Sequence, residues 1–179
     1  MDDLRYPVGK FRHEPDATPE KRRAWIRQIA GAPAALRQAV IGLNAEQLET
    51  PYRPDGWTVR QVVHHVPESH MNAYIRCKLA LTEDNPTIKT YDETAWSKVA
   101  DTARTPIDVS LALLDALHTR WVILLESLDE SEFGRPLVHP DLGQVTIDWM
   151  LQHYAWHGRH HVAHITALRQ RRGWQEPNH

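Results

Sequence analysis

The chain has 179 residues and a mass of 20.7 kDa, which suits one domain with a substantial core. Its 21 Lys plus Arg against 23 Asp plus Glu leave a net charge of −2 with neutral His, which argues against a nucleic-acid module. One cysteine, Cys77, excludes an internal disulfide and a Cys-based zinc knuckle, and a low count of 8 Gly disfavours an all-β fold.

Residues 1–17 read as an extended arm, broken by Pro7, Gly9 and Pro15. The arm lacks the apolar stretch of a signal peptide, and no run of about eighteen apolar residues follows that would span a membrane. The expectation is a soluble, cytoplasmic protein. Thr18-Pro19-Glu20 starts a first helix, with a Thr cap, Pro at the first position and an acid in the first turn. That helix is predicted to run to about Leu43, with a kink or break at Pro33. A turn over Tyr52–Gly56 leads to Thr58, which forms a capping box with Gln61 and opens a second helix reaching Leu81. Residues 83–105 make a long polar connection with a short helix around Asp92–Val99. Pro106 opens a third helix ending near Leu128, on an apolar stripe of Leu111, Leu114, Leu117, Val122 and Leu125. Phe133–Val145 reads as a loop or hairpin. A fourth helix starts near Thr146 and stops before Gly173, after Arg169, Arg171 and Arg172. The domain layout is therefore an arm (1–17), a helical domain (18–173) and a tail (174–179). Four long helices with one long crossover predict an all-α four-helix bundle.

The composition is unusual in its 12 His and in 7 Trp against 2 Phe. Eight of the His fall in two windows: His64, His65 and His70 in the second helix, and His153, His157, His160, His161 and His164 in the fourth. On a wheel of about 100° per residue, the five of the fourth helix share an arc of roughly 100°. Trp149, Trp156, Met150, Tyr154, Ile165 and Leu168 flank that arc, while Gln152, Arg159, Thr166 and Arg169 lie opposite. The histidines thus run down an apolar face. A buried imidazole needs a partner for at least one ring nitrogen, and five in one stripe are hard to satisfy by chance. The i, i+4 spacing lets two His of one helix reach one ion, so the cluster points to metal binding. Two pairs qualify, His157/His161 and His160/His164, and the wheel does not choose between them. A third ligand is expected from the second helix. There His70 lies inside the apolar face, His65 on its edge, and His64 on the polar side, where exposure is expected. Pro67 predicts a kink beside His65.

Among other features, Trp57 is expected to pack on the bundle, and Trp121, Trp149 and Trp156 in the core. Cys77 falls on an apolar face as a small core residue. Asp148, Arg159 and the Arg169–Arg172 run read as helix-end and surface charges. Tyr91-Asp92-Glu93 could bring an acid to a metal. No serine triad, G-x-S-x-G or phosphate-binding loop is visible.

The stretch Gly56-Trp57-Thr58-Val59-Arg60-Gln61-Val62-Val63-His64-His65, with His157-Gly-Arg-His-His161-Val-Ala-His164, resembles the DinB-like superfamily. Ser69-His70-Met71-Asn72, Tyr6-Pro7, Thr50-Pro51-Tyr52-Arg53, Tyr91-Asp92-Glu93 and Trp96 extend the likeness over nearly the whole chain, closest to the YfiT-type metal-dependent hydrolases. The resemblance implies a four-helix bundle holding one divalent metal ion per chain through three His. It places the ligands on His65, eight residues after Trp57, and on His157 and His161, with His160/His164 or His70 as alternatives. Zinc is the first expectation for the ion, with nickel or iron as alternatives. The implied activity is hydrolysis of a small-molecule substrate by metal-activated water. The alternatives are transfer of a low-molecular-weight thiol, as in bacillithiol transferases, or metal binding without catalysis. The family also implies a homodimer.

Overall fold

The computed structural model describes residues 4–174. Helix α1 (Pro19–Val40) begins where the sequence predicts, with Thr18 Oγ1 accepting from Lys21 N. It runs unbroken through Pro33, so the predicted break is absent. It stops at Val40 rather than Leu43, just ahead of Gly42 at φ 73°. A short α2 (Ala45–Leu48) follows, closed by an Asn44–Gln47 capping box. The Tyr52–Gly56 turn is pinned by a bridge between Pro51 and Thr58. Helix α3 (Val59–Thr82) opens on the predicted Thr58–Gln61 box and passes through Pro67.

The long connection contains two short helices, α4 (Glu93–Trp96) and α5 (Ala100–Arg104). Helix α6 (Ile107–Glu126) is followed by a 3₁₀ turn and a hairpin of β1 (Pro136–His139) and β2 (Gly143–Thr146). The strands pair antiparallel from Pro136↔Thr146 to His139↔Gly143. Val138 also bonds Pro86 and Ile88, tying the connection to the hairpin. Helix α7 (Ile147–Arg172) is capped by Thr146 and ends at Gly173, whose left-handed φ of 64° makes glycine the natural stop.

Helix α1 packs against α6 and α7, and α3 packs against the same two. The chain therefore crosses the bundle diagonal between α1 and α3, and again between α6 and α7. Two apolar clusters fill the interior. One gathers Ile29, Ala73, Cys77, Trp121, Leu125 and Leu151; the other gathers Leu36, Val59, Val62, Val66, Leu114 and Ile165. The buried imidazoles His70, His118 and His157 fall between these two sets along α3, α6 and α7.

Two surface expectations are corrected, for Asp148 and Arg169. Asp148 is buried because Arg22 Nε reaches its Oδ1 at 2.6 Å and Gln152 Nε2 its Oδ2 at 2.7 Å. Gln152 is buried too, exchanging two 2.9 Å bonds with the backbone of Glu14. Arg169 is buried where its Nη1 donates to the carbonyls of Ala39 and Ile41, both at 2.9 Å, at the end of α1. These residues turn away from the histidines but face the arm or α1 rather than water.

The candidate metal centre

His65 projects from the first half of α3, and His157 and His161 project one turn apart from α7. Nε2 of His65 lies 3.4 Å from Nε2 of His157, and Nε2 of His161 lies 3.2 Å from the same atom. The ligand atoms of the three residues all lie within 4.8 Å of one another. Among the described residues this is the one cluster of three or more His, Cys, Asp or Glu with that convergence.

The donor chemistry suits a cation. Two nitrogens held about 2.0–2.1 Å from one tetrahedral ion sit roughly 3.3–3.4 Å apart, close to the spacings seen. Three facing imidazole nitrogens cannot all satisfy one another by hydrogen bonding, whereas one cation uses three lone pairs together. Burial pushes the His65 pKa down to about 4. Burial, then neighbouring histidines, holds His157 and His161 well below the usual imidazole range. All three are therefore neutral at pH 7, the form a metal ligand requires.

The alternative histidines are placed differently. His70 commits both ring nitrogens, Nε2 at 3.1 Å from His157 Nδ1 and Nδ1 at 2.8 Å from His118 Nε2. His164 donates from Nε2 to the Arg5 carbonyl at 3.0 Å and stacks on Tyr52 at 3.9 Å. His160 stacks on Trp156 at 4.3 Å. His64, expected to be exposed, is buried with Nδ1 2.7 Å from Ser110 Oγ. Its side of α3 faces water on a helical wheel, but α6 covers it.

The trio opens into a cavity of about 880 Å³. Trp57, Trp149, Trp156 and Leu137 form apolar parts of the wall, and Arg76 and Glu93 add charge. Trp149 and Trp156 are thus half-buried cavity residues rather than core, unlike the fully buried Trp121. Trp57 packs against His65 at 4.6 Å and lies parallel to His161 at 6.4 Å. Of the Tyr91-Asp92-Glu93 run, Glu93 alone lines the cavity; Asp92 caps α4 and Tyr91 packs on Trp96. Burial raises the Glu93 carboxyl above its ordinary range, against a lowering by Arg76. Cys77 is enclosed in the core, its thiol pushed up to about 12 by burial.

His118 was not legible as a site residue from clustering, since it stands outside both His windows. One signal existed: it follows Leu111 and Leu114 at helical spacing, so it sits on the apolar stripe of α6.

A helical bundle with three converging imidazoles at a cavity wall defines the class. The DinB superfamily family model matches residues 28–165, and the chain belongs to that superfamily. It is 53% identical over 174 residues to a Bacillus cereus protein named "Putative metal-dependent hydrolase", covering 97% of this chain and 100% of the relative. A Bacillus anthracis protein of the same name is 52% identical over the same shares. A solved structure, described as "YfiT from Bacillus subtilis is a probable metal-dependent hydrolase with an unusual four-helix bundle topology", matches with a TM-score of 0.94 and 47% identity. It covers 96% of this chain and 99% of that one.

Proposed function

We propose that this chain is a hydrolase of small molecules that works with one divalent ion held by His65, His157 and His161. The observation that carries the reading is the convergence of three neutral Nε2 atoms at the wall of a large cavity. Three protein ligands leave a coordination position open, as catalytic sites do and structural sites do not. Bound there, a divalent ion would supply Lewis acidity, lowering the pKa of a water to about 7 and polarising a substrate oxygen. The chain's own contribution is placement. Trp57, Trp149 and Trp156 form apolar wall against a substrate's body, and Arg76 and Glu93 offer polar contacts to orient it. The neutral ligands leave the full positive charge of the ion in the site, which favours anionic or carbonyl-bearing substrates. Zinc is the ion read here, with the protein as a cytoplasmic homodimer.

Untagged protein is expected to carry about one divalent ion per chain, measured by elemental analysis. His65→Ala, His157→Ala and His161→Ala are each expected to lose it, and with it the hydrolysis of a panel of small esters and amides. Full metal content in all three variants would overturn the ligand set. Chelator-sensitive conjugation of a thiol to monochlorobimane, with no hydrolysis, would replace the activity by thiol transfer.

A further inference from the structure

In a regular helix the carbonyl of Ile29 accepts from the N–H of residue 33. Pro33 has no N–H to give. The Ile29 carbonyl instead lies 2.6 Å from Nδ1 of His118. A carbonyl oxygen only accepts, so Nδ1 of His118 carries the hydrogen. Burial pushes the His118 pKa down to about 4, so the ring is neutral at pH 7 and its Nε2 is a bare lone pair. That nitrogen sits 2.8 Å from His70 Nδ1, which must therefore donate. His70 is fully buried and its ring nitrogens face only other imidazoles, with no carboxylate to pair a charge, so the ring is neutral and its Nε2 accepts. The donor to it is His157 Nδ1, at 3.1 Å. His157 is then left with a lone pair on Nε2, the atom that faces His65 and His161.

We infer that His70 and His118 are positioning residues that lock the tautomer of His157, with the Ile29 carbonyl freed by Pro33 as their anchor. One backbone acceptor dictates three successive rings, all protonated at Nδ1, and the direction of the chain admits no alternative while the rings stay neutral. The members come from every long helix: Ile29 from α1, His118 from α6, His70 from α3 and His157 from α7. Correct assembly of the bundle thereby presents an acceptor, rather than an N–H, to the site. The same Nδ1–H bond to His70 Nε2 orients the His157 ring so that Nε2 faces His65 and His161. The consequence for metal affinity rests on the proposed function; the tautomers themselves do not.

The deciding measurement is a long-range ¹H–¹⁵N spectrum of metal-free, histidine-labelled protein at pH 7.5. His118, His70 and His157 are each expected to show Nδ1–H with a bare Nε2. Zinc affinity, measured by competition with a chromogenic chelator, is expected to fall about 10–100-fold in His118→Phe. His118→Gln, whose amide offers an N–H donor and an oxygen acceptor at similar spacing, is expected to recover most of that loss. A packing role alone would favour Phe over Gln. Nε2–H at His70 or His118 in the native protein overturns the inference, whether or not His118→Phe folds. If native protein takes up zinc with those opposite tautomers, the lock falls and the metal reading stands. If the expected tautomers occur without zinc binding, the metal reading falls and the lock stands.

Discussion

Neutral buried histidines link this protein's stability to acid. Burial takes His65, His118, His153 and His164 down to about 4 and His160 to about 3. The same side chains in the unfolded chain titrate near 6.5. Below that value the unfolded state binds more protons, so stability falls as pH drops through the window from about 6.5 to 4. Above it both states are neutral and these groups contribute no slope. The deeply buried His65, His118 and His153 each contribute a slope of up to about 1.4 kcal/mol per pH unit inside the window, and the less enclosed His160 less. Urea midpoints of metal-free protein are expected to hold steady between pH 7 and 8 and to drop steeply towards pH 5. A midpoint unchanged down to pH 5 would show that the histidines are not buried neutral. At this scale the sequence was only partly legible. The i, i+4 spacing brought out two candidate pairs, while the choice of His157/His161, and of His65, came from the resemblance. His64 was misread because a wheel for α3 says nothing of α6, which covers its outer side.

At the level of elements, helix starts followed directly from their caps: Thr18, Thr58 and Thr146 each accept from a backbone N–H three residues on. Of the interior prolines, Pro33 was read as a kink or break and Pro67 as a kink, and both helices continue through them. A proline removes one bond, and an outside donor can take the freed carbonyl, as His118 does in α1. The close approach of α1 and α7 depends on Gly158. A Cβ there would meet Ala32 Cβ at 3.2 Å and His70 Cε1 at 3.8 Å. Gly158→Ala is expected to be near neutral, because the helix propensity gained, about 1 kcal/mol, offsets the tight contact. Gly158→Val should cost about 1–3 kcal/mol by pushing the helices apart beside His70. Thermal unfolding of the two variants checks the contrast, and equal melting temperatures would refute it.

For the whole molecule, the bundle class was readable from four long amphipathic segments, but the diagonal crossings were not. They depend on which faces meet, and the conformation of the 83–105 connection is set by its pairing with the hairpin rather than by local pattern. The N-terminal arm was legible only as extended chain. In the fold it lies along α7: Trp156 Nε1 donates to the Gly9 carbonyl at 3.1 Å, and Phe11 packs edge-on to His153 at 4.9 Å and to Trp149 at 5.4 Å. None of the arm's described residues belongs to either apolar cluster. Removing residues up to His13 should therefore leave a folded bundle, less stable by about 1–3 kcal/mol from the lost aromatic burial. Calorimetry of the truncated chain measures this, and failure to fold would show that the arm is part of the core.

The position of that arm bears on how the protein is handled. Arg5 and Tyr6 already touch His164 and His160, which line the same cavity as the candidate ligands. An extended chain spans about 3.3–3.6 Å per residue, so an oligohistidine tag fused upstream needs only a short linker to reach the cavity mouth. Its imidazoles would compete there for any ion, and metal content measured on such material would count the tag with the site. Cleaving the tag before analysis keeps the two apart.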